Sequence, residues 1–90
     1  MSAREKIRSF VVSNFYLPSG ARLKDDTSLI EEGIIDSTGV LELLAFVEKE
    51  FGIRTADEDI VPENFDGIAR ITAFVEARRA GAGDPALGKG

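Results

Sequence analysis

The strongest constraint in this chain is a stripe of apolar residues behind an Asp-Ser pair. Val40, Leu43, Leu44, Val47 and Phe51 recur at helical spacing and fall on one narrow face. Such a run commits its segment to an amphipathic helix over residues 37–51, closed by Gly52 as a C′ residue. Glu42, Ala45 and Lys49 fall on the opposite face. Phe46 lies off the stripe, either packing on a neighbouring element or standing out as a partner contact. Gly39 sits in the first turn, although glycine inside a helix costs about 1 kcal/mol relative to alanine. Conflicts of this kind between local and global signals gather at functional sites.

The flanking segments follow the same logic. Ile7, Phe10, Val11 and Phe15 make a helical stripe over residues 3–16, with Asn14 inside it, and "LPSG" stops the helix. A long connection over residues 21–36 begins polar but carries Leu29, Ile30, Ile34 and Ile35. Loops of this length are usually functional, and these apolar residues pin it across the bundle. "DDTSLIEEG" has room for one helical turn closed by Gly33. A further turn is expected at residues 57–61, before Pro62. The last helix spans residues 67–79, with Asp66 as its N-cap and Ile68, Ile71 and Val75 as its stripe, Phe74 beside them. Arg78 and Arg79 suit its C-terminal dipole. No repeat and no alternating strand pattern is present. The reading is one all-α domain, residues 1–80, with three main helices, one short helix and one long loop. The Gly-rich residues 81–90 are expected to form a disordered tail.

With 90 residues the core is thin, about 60–65% of the unfolded surface being buried in domains of this size. The chain has no cysteine and no histidine, which excludes disulfides, thiolate chemistry and Ser-His or Cys-His catalysis. It has no apolar run long enough to span a membrane and no signal-peptide core in "MSAREKIRSF", so a cytoplasmic protein is expected. Between residues 25 and 66 thirteen acids face two bases, Lys49 and Arg54, whereas the rest of the chain is basic. That acidic block argues against nucleic acid and favours a partner with a basic face, or serves only as a solvated, solubilising surface.

The acids Asp25, Asp26, Glu31 and Glu32 lack the spacing of a calcium loop. Asp57, Glu58 and Asp59 have no further catalytic groups beside them, so no catalytic residue and no metal site is assigned. Ser37 or Asp36 would serve as the N-cap of the second helix, although Val40 stands where a capping box needs Glu or Gln. The functional alternative makes Ser37 an exposed attachment point at a helix N-terminus, which favours a phosphate group, with Gly39 keeping bulk away.

The chain resembles the acyl carrier proteins, in the broad group that includes peptidyl carrier domains, from about residue 4 to residue 79. "DSTGVLELLAFVEKEFGI" is similar to the family's Asp-Ser motif and second helix. "DDTSLIEEGIIDS" is similar to the loop before it, and "DEDIVPENFDGIARITAFVEAR" to its third and fourth helices. The resemblance implies an acyl-carrier-protein-like four-helix bundle, a monomer and a carrier rather than an enzyme. It implies that Ser37 receives 4′-phosphopantetheine from coenzyme A through a phosphopantetheinyl transferase, which recognises Asp36. The arm's thiol, absent from the chain itself, would carry an acyl or aminoacyl group as a thioester. The resemblance also implies docking of a loading ligase and downstream acyl-transfer enzymes through Glu42, Ala45, Phe46 and Glu48. It implies an acyl pocket lined by Leu43, Leu44, Val47, Ile60 and Ile71. Thr38, Gly39 and Lys49 depart from the residues usual in fatty-acid carriers, which tells against fatty-acid-synthase partners, while "GIIDS" and "PENFD" are similar to discrete carriers of a specialised lipid or secondary-metabolite pathway. The competing reading is a small helical interaction module in which Ser37 is only a cap.

Overall fold

The computed structural model describes residues 2–15, 17 and 23–82. They form α1 (Ala3–Asn14), α2 (Ser37–Phe51), a 3₁₀ turn (Asp57–Asp59), α3 (Pro62–Phe65) and α4 (Ile68–Ala82), with no strand among them. This is the expected helical bundle. Its second main helix has the expected bounds, and the short fourth element is α3.

Each helix starts for a local reason. Ser2 caps α1 in a reciprocal box: its Oγ accepts the Glu5 N–H while its own N–H donates to Glu5 Oε1. That Ser-x-x-Glu signal is plain in the sequence and supplies the start of α1. The helix ends at Asn14 rather than Tyr16, because Phe15 is already extended. Pro62 opens α3 at N1, where its missing N–H costs nothing. Gly52 closes α2 in the left-handed region, φ 66°, and returns its N–H to the Glu48 carbonyl.

One core holds the elements together. Ile7 and Val11 of α1, Leu43, Leu44 and Val47 of α2, and Ile68, Ile71 and Val75 of α4 are buried in it. No polar side chain among the described residues is buried with them. Phe65 of α3 packs on Phe74 of α4, ring centroids 5.0 Å apart. Phe46 turns inward to α1: it stacks on Phe10 at 4.1 Å and meets Phe51 edge-on at 6.0 Å.

The loop before α2 is pinned, as its apolar residues require. Leu29, Ile34 and Ile35 are buried, whereas Ile30 is exposed. Residues 28–33 make one helical turn, in which the Glu32 N–H donates to the Ser28 carbonyl, closed by Gly33. Asp66 does not cap α4 with its side chain. Its carboxylate instead accepts from Ser28 Oγ at 2.6 Å and from the Ile30 N–H at 2.9 Å, tying the loop to the α3–α4 junction. Asp25 adds a second tie, taking Arg4 and Arg8 of α1 on its side chain and the Ala69 N–H on its carbonyl. At the other end, Arg78 joins Asp59 at 2.9 Å and the Arg54 carbonyl at 3.1 Å. Helix α4 takes in Gly81 and Ala82, where a tail was expected. Residues 83–90, and the stop signal at Pro18 to Gly20, lie outside the described residues.

Candidate functional site

The loop ties deliver the chain to the start of α2 in extended conformation, with Asp36 at φ −115° and ψ −172°. Asp36 is therefore the N-cap. Its Oδ1 accepts the Gly39 N–H at 2.7 Å, and its carbonyl accepts the Val40 N–H at 2.9 Å. Ser37 falls one position later, inside the first turn, and is exposed. Its hydroxyl has no hydrogen-bond partner among the described residues. Asp36 thus takes the capping role, and the Ser37 oxygen is left free toward solvent.

Gly39 does not clear space outward for an attached group. It is buried, and a Cβ there would lie 2.7 Å from Ile35 Cγ1 and 3.0 Å from Phe15 Cε1. The glycine lets the loop and the end of α1 press against the first turn of α2. Close packing explains its place in the helix.

The residues around Ser37 suit a phosphate-bearing group. Of the first-turn N–H groups, those of Gly39 and Val40 are taken by Asp36, while those of Ser37 and Thr38 donate to no described group. Thr38 is exposed beside them. An open cleft of about 280 Å³ lies alongside, lined by Phe15, Ile34, Asp36, Thr38, Gly39 and Glu42 among others.

Other candidate residues divide. Glu42 and Ala45 are exposed on the outer face of α2, as expected. Glu48 is half-buried, and its Oε2 accepts both the Thr55 hydroxyl at 2.6 Å and the Thr55 N–H at 2.9 Å. These bonds hold its carboxyl below the ordinary range, and Arg54 adds a weaker pull in the same direction. Phe46 is occupied by Phe10. Both of these residues spend their side chains on internal contacts. Leu43, Val47 and Ile71 are fully buried, Leu44 nearly so and Ile60 half-buried, in one continuous core. Leu41 was not singled out from the sequence. It is 61% exposed, one helical turn beyond Ser37. The i, i+4 spacing from Ser37 carried that information.

No family model matches the sequence. The D-alanyl carrier protein of Abiotrophia defectiva is 38% identical over 55 residues, 61% of this chain and 70% of the relative. The acyl carrier protein of Solidesulfovibrio magneticus is 25% identical over 79 residues, 88% of this chain and 97% of the relative. Among solved structures, a chain in one described as a crystal structure of an FAD-dependent dehydrogenase superposes with a TM-score of 0.64 at 31% identity, covering 77% of this chain and 97% of that one. The curated relatives are carriers by name, and this chain is a carrier rather than an enzyme. A helical bundle entered by an Asp-capped, serine-bearing second helix, together with a carrier relative matched over more than two thirds of its length, means that the chain belongs to the acyl carrier protein family.

Proposed function

We propose that the chain carries an acyl or aminoacyl group as a thioester on a 4′-phosphopantetheine arm attached to Ser37, and presents it to partner enzymes. The observation that carries this reading is the exposed Ser37 hydroxyl, without a partner among the described residues because Asp36 does the capping. When attached, the arm supplies the thiol that a chain without cysteine lacks. The chain's own residues do the rest. Asp36 fixes the serine in the first turn, and the free N–H groups of Ser37 and Thr38 favour the phosphate. Glu42, Leu41 and Ala45 offer an outer face for docking, while Phe46 and Glu48 support that face from within. Leu43, Leu44, Val47, Ile60 and Ile71 are the residues that would part to shelter a short acyl chain.

The partners under this reading are a phosphopantetheinyl transferase, a loading ligase and acyl-transfer enzymes of a specialised lipid or secondary-metabolite pathway in the cytoplasm, with the carrier acting as a monomer. The name of the Abiotrophia defectiva relative favours a small aminoacyl cargo.

The test is intact-protein mass after incubation with coenzyme A, magnesium and a broad-specificity phosphopantetheinyl transferase. The chain should gain one phosphopantetheine and Ser37→Ala none. No gain with several transferases overturns the reading.

A further inference from the structure

Charge along the outer face of α2 is not uniform once internal pairing is taken into account. At the C-terminal end, Glu50 pairs with Lys6 at 3.1 Å, whereas Glu48 hydrogen-bonds the neutral Thr55 and keeps its charge. Lys49 and Arg54 are both exposed, and neither side chain has an ion pair among the described residues; Arg54 acts on Glu48 only at a distance. These two cations border an open cleft of about 460 Å³ whose lining also includes Glu48, Thr55 and the apolar Ala45 and Ile53. At the N-terminal end the unpaired charges are acids, Glu42 on the helix and Glu31 and Glu32 on the preceding turn. Exposed charge along the outer face therefore runs from acids near Ser37 to a cleft where two cations outnumber one carboxylate, Glu48. Twelve residues separate Ser37 from Lys49, about 18 Å at the helical rise of ~1.5 Å per residue.

We propose that the Lys49–Arg54 cleft is a docking site for a partner enzyme that presents a carboxylate there, while a basic residue of the same partner meets Glu42. A surface with two opposed signs accepts a partner in one direction only, so it would set how the arm at Ser37 enters the partner's active site. Lys49 and Arg54 also act as repulsive elements against partners whose docking face is basic throughout. A lysine in the last turn of α2 is compatible with the helix dipole, so the specificity device does not oppose the fold. The proposal rests on the carrier reading, because docking is read out at Ser37.

The experiment uses two forms of one phosphopantetheinyl transferase with a basic docking surface: the native enzyme, and one whose basic side chains facing the far end of α2 are changed to Glu. Loading rates at limiting carrier are compared for the wild-type chain, Lys49→Glu/Arg54→Glu, the milder Lys49→Gln/Arg54→Gln, and Lys24→Glu as a charge control on the α1 side. The native transferase should load the double-Glu variant roughly threefold to tenfold faster than wild type at low ionic strength, with the Gln variant between them. The inverted transferase should reverse that order. Both effects should vanish near 1 M salt, where the screening length is about 3 Å. Helical circular dichroism checks each variant's fold. An unchanged order with both transferases, an equal response to Lys24→Glu, or an effect that survives high salt overturns the proposal. No loading of the wild-type chain under any condition overturns instead the carrier reading on which it stands.

Discussion

Asp36 Oδ1 holds the Gly39 N–H at 2.7 Å, and this one bond decides what Ser37 is free to do. Both residues carry oxygens able to cap a helix. The extended backbone at Asp36 gives it the cap and moves Ser37 into the first turn. Replacing the two residues by Ala should separate the roles. Asp36→Ala should cost about 0.5–2 kcal/mol of stability. Ser37→Ala, which removes no internal partner, should stay within about 0.5 kcal/mol of wild type. Urea denaturation measures both, and the opposite order would return the cap to Ser37.

Gly39→Ala should destabilise the domain even though it improves helix propensity. The propensity gain is about 1 kcal/mol. Against it stands a Cβ 2.7 Å from Ile35 Cγ1, and both Ile35 and Gly39 are buried, so the loop has to shift. Overpacking of this kind typically costs about 1–3 kcal/mol. A lower Tm for Gly39→Ala than for wild type is expected; a higher one would show that the loop yields at no cost.

Releasing Asp66 should loosen the loop before it loosens the helices. Its carboxylate is the acceptor for Ser28 Oγ and the Ile30 N–H, and both donors lie far away in sequence. Asp66→Ala should cost about 1–3 kcal/mol, since it leaves two donors without their partner. Hydrogen exchange should speed up at Ile30 and across the 28–35 turn more than in α2. Uniform acceleration would mean that the tie serves the whole fold rather than the loop.

The Glu48–Thr55 contact should make part of the stability depend on acid. The Thr55 hydroxyl and N–H favour the charged carboxylate and hold it below its ordinary 4.5. A lowered folded value means that the contribution is fully present above the unfolded value and is lost as pH falls through the folded one. Asp59, lowered by the Ala56 N–H and then by Arg78, has the same sign. Stability should therefore decline below about pH 4.5. Glu48→Gln should decline less steeply there while being less stable at neutral pH. Parallel pH curves for the two proteins would remove Glu48 from this account.

Much of the fold was legible because its signals are local or periodic. The stripe from Val40 to Phe51 fixes α2 to the residue, since only a helix brings those five side chains to one face. Gly52 marks its end because few other residues adopt a positive φ there. The stripe of Ile7, Phe10 and Val11 placed α1, while its Ser2–Glu5 capping box, an equally short-range signal, was passed over. Asp66 misled because an aspartate before a helix is a common cap, whereas its partners here sit on another element. Phe46 was open to packing or exposure, and the resemblance put Glu48 on the docking face, because the helical wheel of α2 does not contain Phe10 or Thr55.

The sequence by itself determined the helical class, the bounds of α2 and the placing of an Asp-Ser pair at its head. These follow from spacing and from backbone preferences acting over a few residues. Only the tertiary structure decided that Asp36 caps and the Ser37 hydroxyl has no partner among the described residues, that Gly39 serves close packing, and that Lys49 and Arg54 have no ion pair among the described residues. Those outcomes depend on which groups remain after distant residues have taken their partners, and pairing across the bundle is not written in any local stretch of the chain.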